Sequence, residues 1–153
     1  MASDKETCVA SLVTVLQAVQ GINKVGRQFK TFDEISEADF PYVAVEEDEG
    51  GEISLDYTSG GFVNVTFNVN VIGYVNASKN LATELNNLDK LVNGSLGADF
   101  IATPRSNSIM RAAGLIGFRI EPLIEKTGTE YNPYASFVRP IQLEFQGLVS
   151  EGF

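Results

Sequence analysis

From Phe62 to Val75 the chain reads FVNVTFNVNVIGYV, and Val63, Val65, Phe67, Val69 and Val71 alternate with Asn64, Thr66, Asn68 and Asn70. A period of two marks a strand with one buried face. Fourteen residues at about 3.3 Å each span roughly 46 Å, more than the roughly 38 Å diameter of a compact chain of this length. The strand therefore either bends, with Gly73 as the expected bulge, or projects and pairs outside its own subunit.

The periodicity changes on either side. Val9, Leu12, Val13, Leu16 and Val19 recur at helical spacing behind a Ser3/Glu6 capping box and ahead of Gly21, which predicts a helix over residues 4–20. A short edge strand is expected around Val25–Phe29, and a loop or single turn over residues 31–39. Tyr42–Val45 reads as a strand with Pro41 at its start, EEDEGGE as a turn, and Ile53, Leu55 and Tyr57 as the next strand before Gly60-Gly61. Leu81, Leu85, Leu88, Leu91 and Val92 form a second helical stripe between Ser78 as N-cap and a stop at Gly94. Residues 95–113 are irregular, with Arg105 and Arg111 in a long loop. Two final strands, Leu115–Lys126 and Ser136–Leu148, flank a hairpin loop carrying Tyr131 and Tyr134. The expected fold is α+β, one domain over residues 1–153: a mainly antiparallel sheet, built of a three-strand meander plus a C-terminal hairpin, packed with two helices.

At 153 residues and 44% hydrophobic, the chain can bury a core of its own. It has no run long enough to span a membrane and no secretion-signal order at MASDKETC. The single Cys8 falls on the apolar stripe of the first helix and is read as a small buried hydrophobe. A net charge of −9 argues against a surface built to grip nucleic-acid phosphates. Ten of the twenty acids lie between Asp33 and Asp56, and no Lys or Arg occurs from Thr31 to Ser78. Such a block is a solvated acidic face or a surface that repels polyanions. With no His at all, Ser-His-Asp and Cys-His catalysis and His-ligated zinc are excluded.

Chemistry is otherwise sparse. Glu46, Glu47, Asp48, Glu49 and Glu52 could offer oxygens to a hard cation but lack calcium-loop spacing. Gly94-Ser95-Leu96-Gly97 and Gly114-Leu115-Ile116-Gly117 lack the context of a phosphate loop and read as turns. Arg105 and Arg111 are either solvated or paired with carboxylates of a neighbouring copy. Tyr131 and Tyr134 are either turn packing or contact anchors. No catalytic residue, cofactor site or metal site is assigned.

The N-terminal helix, the Phe40–Val45 strand, the Gly60-Gly61 turn into a long alternating strand, the Leu-rich helix and the closing Ile141–Phe145 segment together resemble the tail terminator and tail-completion proteins of long-tailed bacteriophages. The resemblance covers nearly the whole chain and rests on pattern and length, without a diagnostic motif. It implies a non-enzymatic virion protein of the tail and neck region, assembled in the host cytoplasm and working without cofactor or membrane. Its subunits would close into a homo-hexameric ring that caps the head-proximal end of the tail tube and stops tube growth. The tail tube protein and a neck or head-completion protein would be its partners, and DNA would pass through the channel without specific binding. Glu46, Glu47, Asp48, Glu49 and Glu52 are the candidate channel-facing acids; Arg105, Arg111, Tyr131 and Tyr134 are the candidate inter-subunit or partner contacts. Two alternatives compete: a tail tube subunit, which is expected to begin with strands, and a metal-dependent hydrolase using the acidic cluster.

Overall fold

A computed structural model describes residues 2–77, 80–101, 107–128 and 133–153, with the backbone alone for 48–51 and 125–128. Helix α1 spans Lys5–Gln17 and buries Cys8, Val9, Leu12, Val15 and Leu16. Its cap is Asp4, whose carboxylate accepts from the Thr7 N–H at 2.7 Å, and the expected Ser3/Glu6 box is not made. Aspartate is as good a cap as serine, which leaves Ser3 for tertiary bonds. The Ser3 hydroxyl donates to the Ala113 carbonyl at 2.5 Å and its N–H to the Gln146 carbonyl at 2.8 Å.

The edge strand β1 is shorter than expected, Lys24–Gly26, and runs parallel to β2. Residues 31–39 form two 3-10 turns, Phe32–Glu34 and Glu37–Asp39. Strand β2 is continuous from Tyr42 to Tyr57, so the turn expected at EEDEGGE is absent and the meander loses a strand. Residues 48–51 are set against Asn68 alone, between the pairs Glu47↔Val69 and Glu52↔Phe67. Two register shifts, one between Glu47 and Glu52 and one between Glu52 and Ser54 that leaves Ile53 without a partner, absorb the surplus residues while the flanking ladder stays paired with β3, Phe62–Asn76. The turn between them holds Gly60 and Gly61 at φ 89° and 81°, open to glycine alone without strain.

Strand β3 neither bulges at Gly73 nor overruns the subunit. Gly73 pairs in register with Val43 on β2 and with Phe137 on β6, and a Cβ there would enter the Phe137 ring. The residue is a close-approach site between sheet and side chain.

Helix α2, Leu81–Phe100, passes through Gly94 because its buried stripe continues, with Leu96 and Phe100 after Leu85, Leu88 and Val92. Part of the expected loop thus becomes helix, and a third helix α3, Ile109–Ala112, follows; α2 starts later than expected, with Asn80 in the left-handed region as its N-cap in place of Ser78. The predicted strand from Leu115 is split into β4, Leu115–Ile120, and β5, Glu125–Gly128. Both pair antiparallel with β6, Tyr134–Leu148.

The fold is α+β, with a mostly antiparallel sheet ordered β1-β2-β3-β6-β4 and β5 beside β4 on the same edge of β6. The odd-numbered face of β3 lies under the helices, and its valines join Leu12, Leu16, Leu88, Val92 and Phe145 in the main core. On the opposite face, a second cluster of Ile35, Phe40, Tyr42, Ala44, Ile72 and Tyr74 covers only one end of the sheet. Arg139, on the helix side of β6, reaches Asp89 of α2 at 2.6 Å and anchors the helix over the sheet.

Candidate functional site

The end of the sheet left uncovered by the second cluster presents Asn64, Thr66, Asn68 and Asn70 of β3 beside Gln146, Glu144, Gln142 and Pro140 of β6. These side chains are half-buried except Pro140, which is buried. Gln146 Nε2 donates to Asn64 Oδ1 at 3.3 Å, one link across this amide-rich face. β-Strand alternation is the cause: the same register that buries the valines presents an amide or hydroxyl at every second position.

Beside this face lies the outer half of β2. Strand β1 covers β2 only from Tyr42 to Ala44. Beyond that point no strand pairs with the outer edge of β2 among the described residues. Residues 52–57 are all exposed, among them Ile53 (52%), Leu55 (40%) and Tyr57 (61%). The alternation of these three residues reads as a strand, and the strand is present, but its apolar positions are not buried. The density of acids around them was the signal that this segment stands at the rim.

The acids of this strand divide between the two sheet faces. Glu46, opposite Asn70, and Asp56, opposite Asn64, belong to the open face; Glu47, opposite Val69, and Glu52, opposite Phe67, belong to the helix side. Glu46 accepts from the Phe29 N–H at 3.1 Å, and Glu52 pairs with Lys5, which holds the Glu52 carboxyl below its usual range. The side chains of Asp48 and Glu49 lie outside the described residues. Among the described residues no group of three or more acids or cysteines is placed to hold a metal ion.

Of the four candidate contact residues, Arg105 and Tyr131 lie outside the described residues. Arg111 is engaged within the subunit: its Nε donates to the Phe100 carbonyl at 2.7 Å and its guanidinium sits 4.0 Å from the centre of the Phe100 ring. It locks α3 to the end of α2, where the Asp99 carboxylate also accepts from Ser108 Oγ at 2.9 Å and the Met110 N–H at 2.9 Å. Tyr134 opens β6 rather than sitting on a loop, and it stacks on Phe32 at 5.2 Å with Phe40 at 5.6 Å.

The far edge of the sheet has a different character. Strand β4 carries no acid and one base, Arg119, whose Nη2 donates to Glu121 at 2.7 Å while the side chain stays 66% exposed. Ile116 beside it is half exposed. Among the described residues no backbone hydrogen bond reaches the outer side of β4. Among the described residues the two rims of the sheet are thus both open, one densely acidic and one close to neutral. No helix among the described residues is long and apolar enough to cross a membrane. Comparison with protein-family models and with curated proteins gives no match to this chain.

Proposed function

We propose that this chain is a structural virion protein of the tail terminator kind, whose copies close into a hexameric ring on the head-proximal end of a phage tail tube. The observation that carries this reading is the unpaired outer half of β2 with Ile53, Leu55 and Tyr57 exposed along it. A bare edge strand with apolar side chains is a template for pairing, and a chain that keeps one gains a use for it in assembly. The ring ends tube growth and gives the neck or head-completion protein a surface to dock on.

The helices occupy one side of the sheet, so the amide-rich face is the one suited to line a channel. It carries Glu46 and Asp56 among neutral amides. Six copies at −9 bring about −54 to the ring, which makes DNA slide past the wall rather than adhere to it. A ring with Glu46 and Asp56 on its outer rim would overturn this lumen assignment.

Light scattering across a concentration range, with electron microscopy of the largest species, tests the reading. A ring of six 16.6 kDa chains, about 100 kDa with a central hole, is expected. Added to isolated tails, the protein should decorate one end only; labelling along the tube would instead favour a tube subunit.

A further inference from the structure

We infer that neighbouring copies join head to tail by β-sheet addition, the open acidic edge of β2 in one copy pairing with the open edge of β4 in the next. The inference deepens the ring reading and rests on it only for the number of copies.

Three observations converge on this pairing. The first is direction. Strand β2 is antiparallel to β3, β3 to β6, and β6 to β4, so β2 and β4 run in opposite senses at the two rims of one sheet. When a second copy is set beside the first in the same orientation, its β4 runs antiparallel to the first copy's β2. The amide-rich face then continues from subunit to subunit, with Asp56 and Arg119 on that same face.

The second observation is charge. Strand β2 carries six acids, Glu46, Glu47, Asp48, Glu49, Glu52 and Asp56, and no base, whereas β4 carries no acid and its Arg119 is balanced by Glu121 just past its end, so that rim is close to neutral. A two-fold pairing of β2 with its own equivalent would set acids against acids, which like-charge cross-strand pairs disfavour. Pairing with β4 avoids that repulsion. The third is apolar area. Ile53, Leu55 and Tyr57 at one rim and Ile116 at the other are each at least 40% exposed, so the junction has apolar side chains to bury from both partners.

Two edge variants, each altered only at exposed positions, test this. One carries Ile53→Asp with Leu55→Asp and loses the β2 edge; the other carries Ile116→Asp with Arg119→Asp and loses the β4 edge. Circular dichroism and thermal melting check that both remain folded. Each alone should need at least about tenfold more protein to assemble than the wild type. Mixed one to one, they should form a two-chain species of about 33 kDa and nothing larger, because each contributes the one edge the other lacks. Assembly of the β4-edge variant alone as pairs would show β2 pairing with itself and overturn the proposal, as would a mixture that stays monomeric. If the wild type forms a ring that both variants form equally well, the edge pairing fails while the ring reading stands. If the variants behave as expected but the wild type grows open filaments, the pairing stands and the terminator reading fails.

Discussion

Gly73 shows how a single missing Cβ can fix the packing of a sheet. It lies in the middle of three strands, level with Val43 and Phe137, and the Phe137 ring occupies the space a side chain would need. Gly73→Ala should therefore cost about 1–3 kcal/mol in urea unfolding, the usual penalty for overpacking. The loss should shrink, by comparison with the summed single changes, when Phe137→Leu makes room; strict additivity would count against the contact. Cys8 carries a second residue-level prediction. Its thiol is wholly buried, and burial raises its pKa from 9.0 to about 11. The folded state resists ionisation of this group, so the stability it contributes is present below pH 9 and is lost as the pH climbs towards 11. Urea midpoints measured from pH 8 to pH 10.5 should fall, and fall less steeply in Cys8→Ala. Parallel slopes in the two proteins would show that Cys8 has no part in the decline.

The elements were legible in the sequence where periodicity and burial agree. α1, β3 and β6 each bury one regular face, so their patterns survive folding almost unaltered. Glycine was a poor guide. Gly94 reads as a helix stop, yet α2 continues because Leu96 and Phe100 prolong the stripe that packs on the sheet, and tertiary burial outweighs the local preference. Gly50-Gly51 reads as a turn, yet β3 offers an unbroken partner and the strand bulges to stay on it. The price of the two helical glycines can be measured. Beyond the backbone of its own helix and its chain neighbours, a Cβ at Gly94 or Gly97 would meet no atom within 4 Å. Gly94→Ala and Gly97→Ala should each raise stability by about 0.5–1 kcal/mol. A loss at either position would mean that its open surface is used by something the single subunit lacks.

At the scale of the whole molecule, the candidate site was only half visible. The acidic block and the alternating amides are compositional and could be read directly. That Ile53, Leu55 and Tyr57 stand at an open rim, and that the amides share one uncovered face, depends on which strands become neighbours, and pairing between β3 and β6 joins residues far apart in the chain. Arg111 and Tyr134 could not be assigned from sequence for the same reason: their partners, Phe100 and Phe32, come from other elements. The resulting architecture predicts a gradient of local stability. Amides of Val65, Val69 and Val71 on β3, held between β2 and β6, should exchange with solvent only through global unfolding. Those of Leu55 and Tyr57 on the rim should exchange through local opening. Native-state hydrogen exchange in rising urea checks this, and a urea-independent rate at Val69 would contradict it.

The central position of β3 also matters while the chain is being made. Its β2 neighbour has already been synthesised when residue 76 leaves the ribosome, but its other neighbour is complete only at residue 148. At about 5–20 residues per second, the interval between them lasts roughly 4–14 s. For that time a valine-rich strand offers a bare edge to every other nascent chain nearby. The asparagines and threonine keep only its second face polar, so until β6 pairs with it the backbone groups of that edge stay open to other chains.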